Sequence, residues 1–260
     1  MKSSAIKKRH GLILLAAFLL FCGTGSTAWA ERIRVAVASN FHSPFKTIAG
    51  AFEKQTGHEV EIIPGSTGKL YAQIIHGAPF HLFLAADSKR PALLEENGKI
   101  APGTRVTYAL GRITLWSPDP ARIPQDGANA LKDKSIKRLA IANPKTAPYG
   151  LAAMQTLKKL GLWDAIRPRL IRGENIGQTF QFVSSRNAEL GFVALSQVLD
   201  PANQQPGSRW DVPDEFYDPL MQDAVILKQA ESHSAARSLW KFLQGETAGN
   251  LIKQFGYRLP

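Results

Sequence analysis

Along residues 31–116 the apolar positions switch between two rhythms. Short runs rich in branched apolar residues alternate with segments whose apolar residues recur at helical spacing. Residues 32–38 predict a strand, and residues 42–55 a helix with Phe45, Ile48, Ala49 and Phe52 on one face. Residues 59–63 predict a second strand, and residues 67–77 a helix carrying Leu70, Ile74 and Ile75. Residues 82–86 form an apolar run suited to a buried strand. Asp87 and Ser88 then open a helix that Asn97-Gly98 closes.

The same alternation continues to the end of the chain. β-rich sequence surrounds Gly111 across 105–116, and a Pro-, Asp- and Gly-rich loop covers 117–129. Residues 138–142 predict a strand, 150–160 a helix stopped by Gly161, and 189–194 a strand leading into a helix at 195–199. A polar loop with three prolines spans 200–214, and a strand returns at 220–228. Residues 232–255 read as one closing helical pattern, carrying Ala235, Leu239, Phe242, Leu243, Leu251 and Phe255. Neither a low-complexity tract nor an internal repeat is visible. Alternating β and α elements predict an α/β protein whose mostly parallel sheets are flanked by helices. The irregular β stretches near 108–115 and 214–225 are candidate crossovers. They would divide the chain into one lobe of 31–108 plus 221–260 and a second of 109–220.

The first thirty residues lie outside that pattern. Lys2, Lys7, Lys8 and Arg9 precede an apolar run at 11–22, shorter than the roughly 20 residues of a membrane span. Ala28-Trp29-Ala30 has the small-x-small form of a signal-peptidase site. A signal peptide cleaved after Ala30 is expected, with an uncleaved anchor or a lipoprotein at Cys22 as the alternatives. Removing the four basic residues of that leader lowers the net charge from +11 to +7. The remaining Lys and Arg are scattered without a basic helix or an aromatic stripe, which argues against a nucleic-acid partner. Cys22 is the sole cysteine and leaves with the leader, so stability must come from the core rather than from disulfides.

Two turns carry the candidate chemistry. The first strand ends in Ser39-Asn40 and the second in Gly65-Ser66-Thr67-Gly68, each just before a helix. Such ends present backbone N–H groups and hydroxyls where an open α/β sheet binds ligands. Ser39 or Asn40 alone reads equally well as a plain helix cap, and Ser66 can both cap and donate its hydroxyl. Gly65 to Lys69 fails the spacing of a phosphate-binding loop, and Lys69 is expected in solvent. Tyr149, framed by Pro148 and Gly150, either donates its hydroxyl or packs its ring. Glu174-Asn175-Ile176-Gly177-Gln178 is another turn entering a helix. The six histidines show no metal-ligand spacing, and no nucleophile elbow is present. Asp87 after its apolar strand reads as a helix cap; the alternative of another class is an exported enzyme that uses Asp87 or Tyr149 as acid or base, against which stands the absence of a nucleophile–base pair.

Several runs together resemble the periplasmic molybdate-binding proteins of ABC transporters. They are residues 36–40 (Ala-Val-Ala-Ser-Asn), 65–74 (Gly-Ser-Thr-Gly-Lys-Leu-Tyr-Ala-Gln-Ile), 77–87 (Gly-Ala-Pro-Phe-His-Leu-Phe-Leu-Ala-Ala-Asp), 143–150 (Asn-Pro-Lys-Thr-Ala-Pro-Tyr-Gly), 160–163 (Leu-Gly-Leu-Trp), 174–177 (Glu-Asn-Ile-Gly) and 189–193 (Glu-Leu-Gly-Phe-Val). The resemblance implies a type II periplasmic-binding-protein fold: two α/β lobes, two hinge crossovers and an oxyanion between them. It implies hydroxyl ligands at Ser39 and Ser66, the backbone N–H of Asn40, and second-lobe positions at Tyr149 and Ile176, the latter through its backbone. Many members carry a Tyr after the strand matching 189–193, where this chain has Ala194, and a small residue where it has Tyr149. That exchange suggests a subgroup supplying its phenol from Tyr149. His81 stands where an acidic residue is common.

The implied ligand is molybdate, with tungstate poorly discriminated because the two ions are nearly the same size. Neutral donors suit a dianion that carries no proton near pH 7. Each charge-assisted bond is worth about 1.5–3 kcal/mol, and each helix N-terminus about 0.3–2 kcal/mol. The implied partner is the membrane permease of an ABC importer. No cofactor, no metal other than molybdenum in its oxyanion, and a monomer are expected. The same fold binding sulfate, phosphate or a chelated metal is the alternative, and a sensor that reports to a membrane partner is a third.

Overall fold

The computed structural model describes residues 30–124 and 126–260. The expected leader and its cleavage lie outside the described residues. In chain order the elements are β1 (Arg32–Ala38), α1 (His42–Thr56), β2 (Glu59–Gly65), α2 (Thr67–Ile75), β3 (Leu82–Leu84), α3 (Lys89–Glu96), β4 (Val106–Gly111), β5 (Ile113–Ser117) and α4 (Gly127–Ala130). There follow β6 (Leu139–Ala142), α5 (Pro148–Lys159), α6 (Trp163–Ile166), β7 (Leu170–Gly173), α7 (Ile176–Ser184), β8 (Leu190–Ala194) and α8 (Leu195–Val198). The last are β9 (Ser208–Asp211), β10 (Leu220–Ile226), α9 (Ser234–Leu243) and α10 (Glu246–Gln254).

The strands form two five-stranded sheets, ordered β2-β1-β3-β10-β4 and β7-β6-β8-β5-β9. In the first, β1 pairs parallel with β2 and β3, and β10 runs antiparallel to both β3 and β4. In the second, β6 pairs parallel with β7 and β8, and β5 runs antiparallel to both β8 and β9. Each sheet is therefore parallel except for one reversed strand. That strand, β10 or β5, is the one that has just arrived from the other sheet.

Register brings the strand ends level. Ala38 pairs with Gly65 and Val37 with Leu84 in the first sheet; Ala142 pairs with Gly173 in the second. The turns that follow thus open at one edge of each sheet. Phe41, Phe45, Ile48, Phe52, Leu239 and Ile252 bury one face of the first sheet under α1, α9 and α10. Leu70, Ile74, Phe83 and Leu94 fill its other face. Leu139, Leu157, Leu190 and Phe192 form the main core of the second lobe. Trp116, stacked on Phe180 at 5.0 Å, and Val183 close its opposite side.

Three stretches differ from the sequence reading. The closing helical pattern breaks at Gln244-Gly245, where Gly245 is extended (φ −81°, ψ 167°), so α9 and α10 are separate helices. The polar loop at 200–214 contains β9, and β7 forms where no strand was expected. Both are edge strands. An edge buries less of its pattern and tolerates charge, as in Ser-Arg-Trp-Asp of β9, whose Asp211 takes Arg209 at 3.2 Å and Arg112 at 3.7 Å. Neighbouring strands, rather than apolar alternation, recruit them.

Candidate functional site

Ser39, Asn40, Ser66, Tyr149 and Ile176 come together around one pocket between the two sheets, beside Thr67, Pro148 and Asn175. The first lobe approaches it by side chains. Ser66 is the N-cap of α2, in extended backbone, yet its hydroxyl caps nothing. It is buried, at 4% exposure, and its Oγ has no hydrogen-bond partner among the described residues. A buried unpaired hydroxyl costs free energy unless something else uses it. Ser39 is less free: its Oγ donates to the Gly65 carbonyl oxygen at 3.0 Å. Thr67 Oγ1 accepts from the Ala86 backbone N–H at 3.1 Å, which ties the start of α2 to the end of β3.

The second lobe brings two helix starts to the pocket. Pro148 occupies the first turn of α5, where its missing N–H costs nothing, and Tyr149 follows. Asn175 caps α7 by accepting the Gln178 N–H at 3.0 Å, leaving Ile176 as the first helical residue. The N–H groups of Tyr149 and Ile176 belong to first turns, which lack intrahelical acceptors. Gly177 lies against the first lobe: a Cβ there would stand 3.5 Å from the Ser39 Cβ, an ordinary contact distance.

The Tyr149 ring is buried, and its hydroxyl accepts from Gln222 Nε2 at 3.1 Å. Around it lie Asn40, Tyr108, Tyr257 and Ser196. The Asn40 amide donates to Gln222 Oε1 at 2.8 Å and to the Tyr257 hydroxyl at 2.9 Å. The Tyr257 and Ser196 hydroxyls donate to the Asn40 carbonyl oxygen at 2.9 and 3.0 Å. Burial holds the Tyr108 and Tyr149 phenols well above their ordinary range and pushes Tyr257 up to about 12. This wall of the site is therefore uncharged.

Among the described residues no Lys or Arg lines the pocket. Lys69, expected in solvent, is more than half exposed and also pairs there with Glu174 of the opposite lobe. Beside it the Gly68 N–H donates to the Thr146 carbonyl oxygen at 2.8 Å, and Arg90 Nη2 reaches the Lys145 carbonyl at 3.3 Å. The lobes are closed on each other at this rim. Asp87, just before α3, accepts the Arg90 N–H at 2.9 Å and pairs with the Arg90 guanidinium, and it is not among the residues that line the pocket. Among the described residues no group of three or more His, Cys, Asp or Glu is placed to hold a metal ion.

Ala194, at the place where the resemblance expects a phenol, donates its N–H to Gln197 Oε1 at 3.0 Å. Gln197 Nε2 in turn donates to the Ile176 carbonyl at 3.1 Å. Sequence reasoning passed over Gln197, Gln222 and Ser196, because a single amide or hydroxyl carries no pattern. A polar residue inside the apolar run of β10 was the one available signal for Gln222. His81 accepts the Arg34 N–H through Nδ1 at 3.1 Å and packs on His233 at 4.3 Å, remote from the pocket lining.

A family model described as bacterial extracellular solute-binding protein matches residues 33–258. The chain is 49% identical over 248 residues to the molybdate-binding protein ModA of Azotobacter vinelandii, covering 95% of this chain and 96% of that one. It is 42% identical over 241 residues to molybdate-binding protein ModA of Rhodobacter capsulatus, covering 93% and 94%. The solved structure of the Azotobacter vinelandii periplasmic molybdate-binding protein superposes with a TM-score of 0.84 at 41% identity, over 88% of this chain and 99% of that one.

Proposed function

The chain belongs to the bacterial extracellular solute-binding proteins, and from that premise we propose that it captures molybdate outside the cytoplasm for an ABC importer. It is a binding protein and not an enzyme. Its two relatives in Azotobacter vinelandii and Rhodobacter capsulatus are molybdate-binding proteins, and their identity spans nearly the whole chain. The observation that carries the reading is the unpaired, buried Ser66 hydroxyl in a pocket with no cation and no acidic lining residue. A fully ionised tetrahedral dianion fits such a site; an anion that carries a proton would want an acceptor there. Ser39, Ser66, the Asn40 region, and the Tyr149 and Ile176 N–H groups are the proposed ligands. The Tyr149 phenol belongs instead to the wall behind them, against Gln222.

Tungstate, matching molybdate in charge and nearly in size, is proposed as a second ligand. The protein is proposed to be exported by cleavage after Ala30, to act as a monomer without a cofactor, and to deliver its ion to a membrane permease. The lobes are proposed to move about Arg112 and residues 212–219, the segments that join the sheets. Calorimetry on the mature chain tests the ligand: molybdate and tungstate release heat at a single site, and sulfate binds far more weakly. Equal affinity for sulfate would overturn the assignment. Melting must also rise with molybdate, because a ligand of the folded state alone stabilises it.

A further inference from the structure

We propose that Gln222 is a positioning residue of the oxyanion site, holding Asn40 of the first lobe and Tyr149 of the second in one bonded unit. The proposal rests on the site assigned above. Gln222 is fully buried in the middle of the molecule and uses both ends of its amide. Its Oε1 accepts from Asn40 Nδ2 at 2.8 Å and from the Tyr108 hydroxyl at 3.0 Å, and its Nε2 donates to the Tyr149 hydroxyl at 3.1 Å. Those partners stand on β4, on the turn after β1 and on α5, so one side chain ties both lobes together behind the pocket.

Local backbone is shaped for this contact. Between β10 and β4 the register shifts at Gln222/Asp223, so that Gln222 faces Ala109, Asp223 faces Thr107, and Tyr108 is left unpaired. Such irregularities re-aim side chains beside functional sites. Gly111, the last residue of the first sheet before the crossover, clears the space: a Cβ there would lie 2.3 Å from the Tyr149 hydroxyl and 2.5 Å from Gln222 Nε2. Asn40 and Tyr149 both line the pocket, and Gln222 does not. It acts through them. An amide supplies a donor and an acceptor without charge, whereas a carboxylate would set a second anion behind the bound one.

The test compares the wild type with Gln222→Met, Gln222→Glu and Tyr149→Phe, measuring the molybdate Kd and the ligand-free melting temperature of each. Gln222→Met is expected to weaken binding about tenfold or more, since it strips the shared partner from two site residues. If Gln222 works through Tyr149, Gln222→Met combined with Tyr149→Phe costs less than the two single losses together. Gln222→Glu keeps the acceptor contacts, and burial raises its carboxyl pKa. Its affinity is expected to be closer to wild type at pH 6 than at pH 9, while the wild-type profile stays flat. Should Gln222→Met not fold, the Gln222→Glu profile and its cycle with Tyr149→Phe carry the test. A Kd within twofold of wild type in the folded Met variant, additive losses in the cycle, or a flat Gln222→Glu profile would each overturn the proposal. Failure of the wild type to bind molybdate would instead strike the functional reading on which it rests.

Discussion

In the first lobe β1 and β2 lead into turns whose serines line the pocket; in the second, β6 and β7 occupy the same places in the strand order and lead into Tyr149 and Ile176. Strand for strand the sheets correspond, with β10 and β5 as the reversed member of each. The chemistry presented at the cleft does not. On the proposed assignment, the first lobe offers two serine hydroxyls that substitution can delete, beside the Asn40 N–H, and the second offers only main-chain N–H groups at helix starts, which substitution leaves in place. On that assignment a repeated fold divides one binding task between side chain and backbone. Exchange at the second half is then tolerated more readily than at the first.

Ser66→Ala should break this division most severely. Loss of one donor to a buried dianion costs about 1.5–3 kcal/mol, or roughly 10- to 150-fold in molybdate Kd. A calorimetric Kd within about twofold of wild type would place the ligand elsewhere. Ser39→Ala should cost less, about 1 kcal/mol, because its hydroxyl must first leave the Gly65 carbonyl. Titration of the two variants side by side checks the order.

The lobes should also differ in their response to acid. Every described histidine lies outside residues 109–220. Burial holds His81 below its ordinary 6.5, assisted by the neighbouring His233 and Arg34, and burial with Lys46 does the same for His42. A histidine depressed by folding contributes stability that is complete above 6.5 and is lost as pH falls through its lower folded value. Protonation would also cost His81 its acceptor role toward the Arg34 N–H. Hydrogen exchange at pH 5.5 against pH 7.5 should therefore show the first lobe loosening more than the second, and His81→Gln should narrow that gap.

Two smaller effects sharpen the contrast. Lys69→Ala removes the ion pair with Glu174 across the rim, but both side chains are more than half exposed, so the affinity loss should stay below about 1 kcal/mol and shrink in salt. Ile176→Val should change the Kd by less than about twofold, because the side chain packs in the core and the proposed contact is the backbone N–H. A large loss there would mean that the second lobe, too, binds through its side chains.

How much of this was legible before the structure follows from what each residue depends on. The Ser39 and Ser66 turns were readable because a strand rhythm ends there and a helical one begins. Ile176 was readable only in the company of the other motifs, since a backbone donor leaves no trace in residue type. Tyr149 was legible as a position and not as a role: nothing near it in the chain foretells that Gln222, far along the sequence, takes its hydroxyl. β7 and β9 were missed because edge strands draw their order from neighbours.

Local patterning by itself determined the α/β class, the succession of most strands and helices along the chain, the leader-like start and the two hydroxyl-bearing turns, since periodicity and capping act over a few residues. Tertiary structure alone decided which strands close the sheet edges, that the lobes meet with Lys69 against Glu174, and that an uncharged knot of Asn40, Gln222 and three tyrosines backs the pocket. Those outcomes are pairings between residues distant in sequence, and a hydrogen bond is specified by the geometry of both partners at once.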